Sequence, residues 1–282
     1  MRPGKIVCIG WNYSSHIKEL ESELPKVPTV FLKPSSCIIG DGDTIVIPDG
    51  VTNVQHEVEL ALVFGKRAKN VSEAEALSYV SHLAVFNDVS ARDMQKEARA
   101  SGNSWDLSKG MDTFGPMSEP VPIGDTDVKN LDLSLTVNGE LRQSGNTRDM
   151  IFPIPFLISY ISRYMALEEG DILITGTPEG VSEIRPGDVV CAKVEGIGSV
   201  TNPVAGQSKR RSSDSLRSSR FQPYLLARAE RILFRIPRVP SEAIADMMLL
   251  NEGAMPFFGL SQIVALNQGF RIVTLIDLDK WP

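Results

Sequence analysis

The sequence has few cysteines and no long apolar segment. Its 282 residues contain three cysteines, Cys8, Cys37 and Cys191, and none of them forms a CxxC pair. Such a set predicts neither a disulfide framework nor a zinc site, and reduced thiols in a cytosol are the simplest interpretation. The start, MRPGKIVCIGWN, lacks the apolar core of a signal peptide. No segment approaches the about 18 apolar residues of a membrane helix. We therefore expect a cytoplasmic protein without membrane contact.

Positive charge is scarce in the first 205 residues. The whole chain has a net charge of −6, with 29 Lys and Arg against 35 Asp and Glu. From Gly206 onward there are 11 basic and 7 acidic residues, so residues 1–205 hold 18 and 28, a net of −10. Phosphate binding needs clustered cations, so this acidic body argues against nucleic acid as the main partner.

The composition changes sharply after Val204. Residues 1–204 are rich in apolar, alternating segments, whereas 205–220 are rich in serine and arginine and nearly devoid of apolar residues. Residues 221–282 regain apolar character without a regular period. We predict a catalytic domain over 1–204, an exposed linker over 205–220 and an unassigned tail over 221–282.

The first 204 residues predict a β-rich α+β domain with few helices. Period-two alternation and turn residues predict strands at 6–10, 29–34, 44–47, 56–65, 83–88, 131–145, 171–176 and 188–200. Asn138-Gly139 is a strong hairpin signal within the sixth segment. Helices are predicted at 72–81, where Ser72 and Glu75 make a capping box, and at 152–165.

The most informative local pattern is HEVELALV, residues 56–63. Residues i and i+2 of a strand project from one face, so Glu57 and Glu59 would lie side by side. Two adjacent carboxylates repel each other unless a cation or a proton intervenes. Asp88, at the end of the apolar run LAVFND, would complete a set of oxygen ligands suited to Mg²⁺, Mn²⁺ or Ca²⁺. The alternative is a solvated strand face.

A second candidate pair is His16 and Glu19, in the polar segment after the first strand. They are three residues apart and would face each other on one helical turn. A carboxylate bonded to one imidazole nitrogen orients the ring and favours its use as a general base on water. The alternative is a surface histidine on a turn.

Two loops could hold an anionic substrate. Lys109 lies in KGMDTFGP, where glycine and proline fix a tight loop, and its ammonium could stabilise an oxyanion. Thr177 lies in ITGTPEGV, where a turn presents backbone N–H groups and a hydroxyl. This turn lacks the Walker spacing and lysine of a nucleotide site. The alternatives are a surface lysine and an ordinary tight turn.

The motifs occur in an order that resembles one enzyme family. GxNYxxHxxE, FxKP, HExEL, NDxSxRD, KGxDTxGP and GDxLxTGTPxGV follow one another over roughly residues 3–204. This set is similar to the short, single-domain members of the fumarylacetoacetate hydrolase family. The resemblance implies a mixed β-roll with few peripheral helices and a Mg²⁺ or Mn²⁺ ion held by Glu57, Glu59 and Asp88.

The resemblance also implies roles for individual residues. His16 and Glu19 correspond to the catalytic pair, Lys109 to the substrate-binding lysine and Thr177 to the threonine of the TGTP turn. Weaker candidates for substrate or supporting contacts are Tyr13, Arg92 and Gln143, with Asn12 and Lys33. Residues 15–18 correspond to a mobile lid. Short members of the family are homodimers, so we expect a homodimer here.

The reaction implied by the resemblance is hydrolysis of a C–C bond in a small acylpyruvate-type 2-oxo acid through a metal-stabilised enolate. Decarboxylation of oxaloacetate, or isomerisation or decarboxylation of a hydroxy-dienedioate, would use the same site. A hypothesis of another class is a non-catalytic binding protein on this scaffold. The intact set of acids with His16, Glu19 and Lys109 argues against it.

Overall fold

A six-stranded and a five-stranded sheet hold most strands of the computed structural model, which describes residues 3–14 and 25–207. The strands are β1 (Ile6–Gly10), β2 (Thr29–Lys33), β3 (Ile38–Ile39), β4 (Ile45–Ile47), β5 (Val54–Gln55), β6 (Val58–Phe64), β7 (Val80–Asn87), β8 (Ser90–Ala91), β9 (Gly115–Pro116), β10 (Val121–Pro122), β11 (Asp132–Val137), β12 (Glu140–Asn146), β13 (Ile172–Ile174), β14 (Val189–Val194) and β15 (Gly198–Gly206). The α-helices in these residues are α1 (Arg92–Ala100), α2 (Asp106–Lys109) and α3 (Ile154–Tyr164).

Both large sheets are mixed. The six-stranded sheet has the order β10-β7-β6-β13-β1-β2, and the five-stranded sheet has the order β12-β11-β14-β15-β4. The pairs β1–β13 and β4–β15 are parallel, whereas the other pairs in the two sheets are antiparallel. The predicted fold class, a β-rich mixed roll with few helices, is confirmed. In the described part of the chain, no helix is long and apolar enough to cross a membrane.

Strand β6 is buried on both faces, which explains why its sequence VELALVF is almost continuously apolar. Leu60 and Leu62 belong to the main core, which also contains residues of the five-stranded sheet such as Leu133. Ala61 points the other way into a second, smaller apolar cluster with Phe86 of β7. Only the end of β6 near Glu57 and Glu59 carries charge, and it does so inside the protein.

Several predicted elements differ from the observed ones. The expected helix over 72–81 is wrong: turns lead to a 3₁₀ helix over Ala76–Tyr79, and β7 begins at Val80. The Ser72 hydroxyl does donate to the Glu75 carboxylate, at 2.7 Å. Pairing of β7 with β6 outweighs this local helix signal, because tertiary contacts override propensity. The segment 188–200 is not one strand but a hairpin of β14 and β15.

Other boundaries agree more closely. Asn138 and Gly139 both have positive φ, 53° and 81°, as a two-residue hairpin turn between β11 and β12 requires. Helix α3 lies within the predicted 152–165. Helices α1 and α2 were not predicted, because their segments are polar and α2 is only four residues long. Strand β15 ends at Gly206, and the rest of the predicted linker and tail, from 208 on, lies outside the described residues.

The turn that follows β13 is held tightly against β12. Gly180 has a φ of +92°, and a Cβ added there would lie 2.1 Å from the carbonyl oxygen of Arg142. Gly187 has a similar φ of +101°, but an added Cβ would meet nothing within 4 Å. The two glycines therefore share the same backbone conformation and differ in the space around them.

We predict that Gly180→Ala destabilises the protein much more than Gly187→Ala. Both variants incur the strain of a side chain in the left-handed region, about 1–2 kcal/mol. Only Gly180→Ala adds a clash with rigid backbone, and we expect its total loss to exceed about 4 kcal/mol. Urea unfolding followed by circular dichroism gives both values. Equal losses would show that the turn moves away from β12 freely.

Candidate active site

The register of β6 and β7 brings three carboxylates together. Val58 is opposite Asn87, and the Asp88 N–H donates to the Glu57 carbonyl at 2.8 Å. Ligand oxygens of Glu57, Glu59 and Asp88 all lie within 4.8 Å of one another. The three residues are only 5%, 1% and 1% exposed, so Glu57 and Glu59 do not form a solvated strand face.

Two buried lysines neutralise part of this charge. Lys33 Nζ donates to Asp88 Oδ1 at 2.6 Å and to the carbonyls of Phe114 and Val89 at 2.7 and 3.3 Å. Its three protons therefore all have acceptors, and it fixes one oxygen of Asp88. Lys109 Nζ, at the end of α2, donates to Asp88 Oδ2 at 2.6 Å and to Glu57 Oε2 at 2.8 Å.

The carboxylates around Lys109 determine its protonation state. Burial lowers the pKa of Lys109, but the charges of Asp88 and Glu57 raise it, and the pKa is raised overall. Lys109 is therefore a cation at neutral pH. Arg92, at the start of α1, adds a second cation through an ion pair with Glu57. Its Nε also donates to Gln55 Oε1 at 2.7 Å.

Glu59 differs from the other two acids. Its Oε2 accepts the Gly176 N–H at 2.6 Å, and in the part of the chain that the structure describes no Lys, Arg or His forms a salt bridge with it. Burial, followed by the charges of Asp88 and Glu57, raises the pKa of Glu59 well above its usual range. A divalent cation among the three acids would remove this penalty, and carboxylate oxygens are the donors that Mg²⁺ and Mn²⁺ prefer.

Gln143 connects the start of β6 to the TGTP turn, residues 175–178. Its Oε1 accepts from His56 Nδ1 at 2.9 Å and from the Val58 N–H at 3.1 Å. Its Nε2 donates to Thr177 Oγ1 at 2.8 Å and to the Pro178 carbonyl at 2.9 Å. These four bonds use the full hydrogen-bonding capacity of the amide. Gln143 therefore acts in this structure as a support for Thr177 and the start of β6.

A cavity that is open to solvent leads to the carboxylates, and the space within it, including the solvent at its mouth, is about 290 Å³. Its polar lining consists of Glu57, Glu59, Asp88, Arg92, Gln95, Lys109 and Thr177. Its apolar lining consists of Ile9, Gly10, Trp11, Phe31 and Trp105. Arg92, Lys109 and Thr177, all predicted from the sequence, thus meet the three acids in one place.

Two of the weaker candidates, Tyr13 and Asn12, do not line the cavity. Tyr13 is fully buried, and its hydroxyl has no hydrogen-bond partner within residues 3–14 and 25–207. Burial, with the charges of Glu59 and Asp149, raises its pKa. Asn12 donates to the Thr175 carbonyl at 2.8 Å and accepts the Phe152 N–H at 2.8 Å, so it holds the loop after β1. His16 and Glu19, with the expected lid at 15–18, lie outside the described residues.

Several cavity and supporting residues were not predicted from the sequence motifs. His56, which bonds Gln143 and the Ser182 hydroxyl, is buried behind the site, and burial lowers its pKa. Gln95 follows Arg92 by three residues, a helical spacing that would have pointed to it if α1 had been predicted. Trp11 and Trp105 carry no local signal, because their proximity depends on the fold.

The fold and the site together define a mixed β-roll enzyme with a buried cluster of three carboxylates under an open cavity. The chain belongs to the fumarylacetoacetate hydrolase family, since the family model described as fumarylacetoacetate (FAA) hydrolase C-terminal matches residues 5–205. The suspected family is thereby confirmed. Its members are hydrolases and related decarboxylases and isomerases, and this chain is an enzyme of that group.

Named relatives show the range of the family. A mitochondrial oxaloacetate tautomerase of Arabidopsis thaliana is 49% identical over 199 residues, which cover 70% of this chain and 88% of that protein. The structure of 5-carboxymethyl-2-hydroxymuconate delta-isomerase from Mycobacterium smegmatis is 39% identical, with a TM-score of 0.67 over 74% of this chain and 81% of that one. Fumarylpyruvate hydrolase from Pseudomonas aeruginosa, in complex with Mn²⁺ and pyruvate, is 27% identical, with a TM-score of 0.70 over 73% and 91%. The cytoplasmic location stays a prediction.

We predict that Gln143→Leu lowers the free energy of unfolding by more than about 2 kcal/mol. The substitution leaves buried partners at His56 and Thr177 without their bonds, and each unsatisfied group costs about 1–3 kcal/mol. The control is Arg142→Leu on the same strand, because the Arg142 side chain is exposed and pairs with the exposed Glu140, so its loss should change stability little. Urea unfolding of both variants tests this, and a neutral Gln143→Leu would contradict the supporting role.

Proposed function

We propose that this chain is a divalent-metal-dependent enzyme that hydrolyses a C–C bond of a small acylpyruvate-type 2-oxo acid. The observation that carries the proposal is the cluster of Glu57, Glu59 and Asp88 within 4.8 Å at the bottom of the cavity. The Mn²⁺ and pyruvate in the Pseudomonas aeruginosa fumarylpyruvate hydrolase support it, because pyruvate is itself a small 2-oxo acid.

The donor set fits a hard cation. All three acids are buried, and Glu59 forms no salt bridge with a cationic side chain of the described residues. This set favours Mg²⁺ or Mn²⁺, which Glu57, Glu59 and Asp88 would hold. When bound, the ion would act as a Lewis acid that binds a 2-oxo acid and withdraws electron density from it. The ion would offset the free energy that is needed to keep a buried Glu59 ionised beside Asp88 and Glu57.

The cationic side chains of the site would bind and orient the substrate. Lys109 Nζ lies next to both Glu57 and Asp88, so it can contact a group that reaches these acids. Its positive charge would stabilise the electron pair that moves onto the pyruvate fragment when the C–C bond breaks. Thr177 Oγ1 accepts from Gln143 Nε2 and donates its proton to the Val58 carbonyl, so its hydroxyl would meet a protonated group of the substrate as an acceptor.

The proton transfer is assigned to His16 from the sequence. In the proposed step, the imidazole of His16, oriented by Glu19, accepts a proton from a water molecule. The hydroxide oxygen forms a bond to the distal carbonyl carbon, and the C–C bond then breaks. The released pyruvate fragment takes up a proton, so one water is consumed for each bond cleaved.

Oxaloacetate is the substrate of a second candidate function. It is favoured by the 49% identity to an oxaloacetate tautomerase, over 88% of that protein's length. Tautomerisation or decarboxylation would use the same anchors but no attacking water. Isomerisation of a hydroxy-dienedioate is favoured by the likeness to the Mycobacterium smegmatis isomerase and would use His16 to move a proton. Turnover of any of these substrates would exclude a purely binding protein.

We predict that EDTA abolishes turnover and that Mg²⁺ or Mn²⁺ restores it. Glu59→Gln should weaken Mn²⁺ binding by more than about 100-fold, because the amide cannot supply a charged oxygen. Calorimetric titration of the metal-stripped protein with Mn²⁺ measures this. The control is Glu183→Gln, an exposed acid paired with Arg185, which should bind Mn²⁺ as the wild type does. Full turnover without metal would refute the proposal.

We predict that His16→Ala separates the two candidate reactions. Hydrolysis of an acylpyruvate should fall by about 10²–10⁴, the usual contribution of a general base. Decarboxylation of oxaloacetate should fall much less, because no water attacks. Steady-state kinetics with both substrates measures the difference. Equal losses would indicate that His16 positions the substrate instead.

A further inference from the structure

Three aromatic side chains form one side of the cavity: Trp11 after β1, Phe31 in β2 and Trp105 before α2. We call them the aromatic wall. The ring centroids of Trp11 and Trp105 are 5.1 Å apart, with an interplanar angle of 77°. Those of Phe31 and Trp105 are 5.4 Å apart, with an angle of 58°. The rings therefore make an apolar corner rather than a parallel stack.

Trp11 occupies its place against a backbone preference. Its φ is +58°, in the left-handed region that bulky side chains rarely adopt. A glycine or an asparagine would fit this position with less strain. Strained conformations of this kind cluster at functional sites, where the surrounding structure holds them. The indole is thus held at the cavity despite its backbone.

The aromatic wall is fixed, yet it is not part of the core. The guanidinium of Arg99 lies 4.8 Å from the Trp11 ring. The Trp105 ring packs so closely on Gly10 that an added Cβ would lie 3.0 Å from it. All three aromatic residues nevertheless stay half-buried at the cavity, whereas the carboxylates beneath are buried. Rigid aromatic surface beside a polar site is typical of ligand pockets.

The aromatic wall and the charged groups are close enough for one small molecule to contact both. Lys109 Nζ, which bonds Glu57 and Asp88, lies 5.2 Å from the centroid of the Phe31 ring. A ligand that reaches the carboxylates with one end would therefore place its other end against the rings. Flat, conjugated groups stack on aromatic faces without needing hydrogen bonds.

We propose that the aromatic wall binds the part of the substrate that lies distal to the 2-oxo acid group. It selects a flat, unsaturated distal chain over the short, polar end of oxaloacetate. This inference rests on the proposed function, because it places the 2-oxo acid end at Glu57, Glu59 and Asp88. It adds the distal specificity, for which Trp11 and Trp105 are the determining residues.

The first test compares two substrates in the Mn²⁺-supplemented full-length protein. Fumarylpyruvate has a flat, unsaturated distal chain, and oxaloacetate does not. We expect Trp11→Gly and Trp105→Leu each to lower kcat/KM for fumarylpyruvate by about tenfold or more. For oxaloacetate the change should stay below about threefold. Because Trp11→Gly relieves the backbone strain, we expect this variant to stay folded. Its melting temperature shows whether any loss of activity comes from unfolding. Tyr164→Ala, which removes an exposed aromatic ring on α3, is the control.

The second test measures binding and does not depend on turnover. The chain has three tryptophans, so in a Trp281→Phe background the fluorescence comes from Trp11 and Trp105. Fumarylpyruvate should quench this fluorescence strongly, and oxalate, which has no distal chain, should quench it little. Trp105→Leu should weaken fumarylpyruvate binding at least about tenfold and leave oxalate binding unchanged.

The outcomes separate this inference from the proposed function. Selective binding of fumarylpyruvate without turnover would support the aromatic wall and refute the proposed hydrolysis. Turnover of fumarylpyruvate with equal losses on both substrates in the tryptophan variants would overturn the aromatic wall alone. Absence of quenching by fumarylpyruvate would overturn it as well, whatever the enzyme hydrolyses.

Discussion

The mutual repulsion of three buried carboxylates is the constraint on which the rest of the site depends. Glu57, Glu59 and Asp88 lie together because β6 and β7 pair in one register, and their burial excludes the water that would screen them. Burial, with the charges of Asp88 and Glu57, raises the pKa of Glu59, and the same two charges outweigh the effect of burial on Lys109 and raise its pKa. Opposite charge must therefore be supplied nearby, and it comes from buried lysines, an arginine and, in our proposal, a divalent cation.

The cations around the acids divide into supports and contacts. Lys33 does not line the cavity, and its ammonium donates its three hydrogen bonds to Asp88 and two backbone carbonyls. Lys109 lines the cavity and shares its protons between two acids, so a substrate can compete for it. Gln143 is a support of the same kind as Lys33, since all four of its hydrogen bonds go to protein groups. Such saturated partners hold the reacting groups still.

The cavity also divides into a charged part and an aromatic part. In our proposal, the charged part binds the 2-oxo acid group, which would be common to all substrates, and this fits a family whose named members include a tautomerase, an isomerase and a hydrolase. The aromatic part offers no charge and little hydrogen bonding, so it can distinguish substrates only by shape and unsaturation. In our proposal, chemistry and selectivity therefore lie on different elements of the fold, and Phe31 of the aromatic wall lies next to Lys109.

The sequence by itself determined what is local. The period-two pattern put Glu57 and Glu59 on one face, Asn138-Gly139 marked the hairpin, and the ordered motifs identified the family, because each depends only on residues close in the chain. Tertiary structure alone decided that 72–81 is not a helix, that Gln143 faces His56 rather than the cavity, and that Trp11, Phe31 and Trp105 meet. The physical reason is that these contacts join residues far apart in the sequence, where strand pairing and burial outweigh local preference.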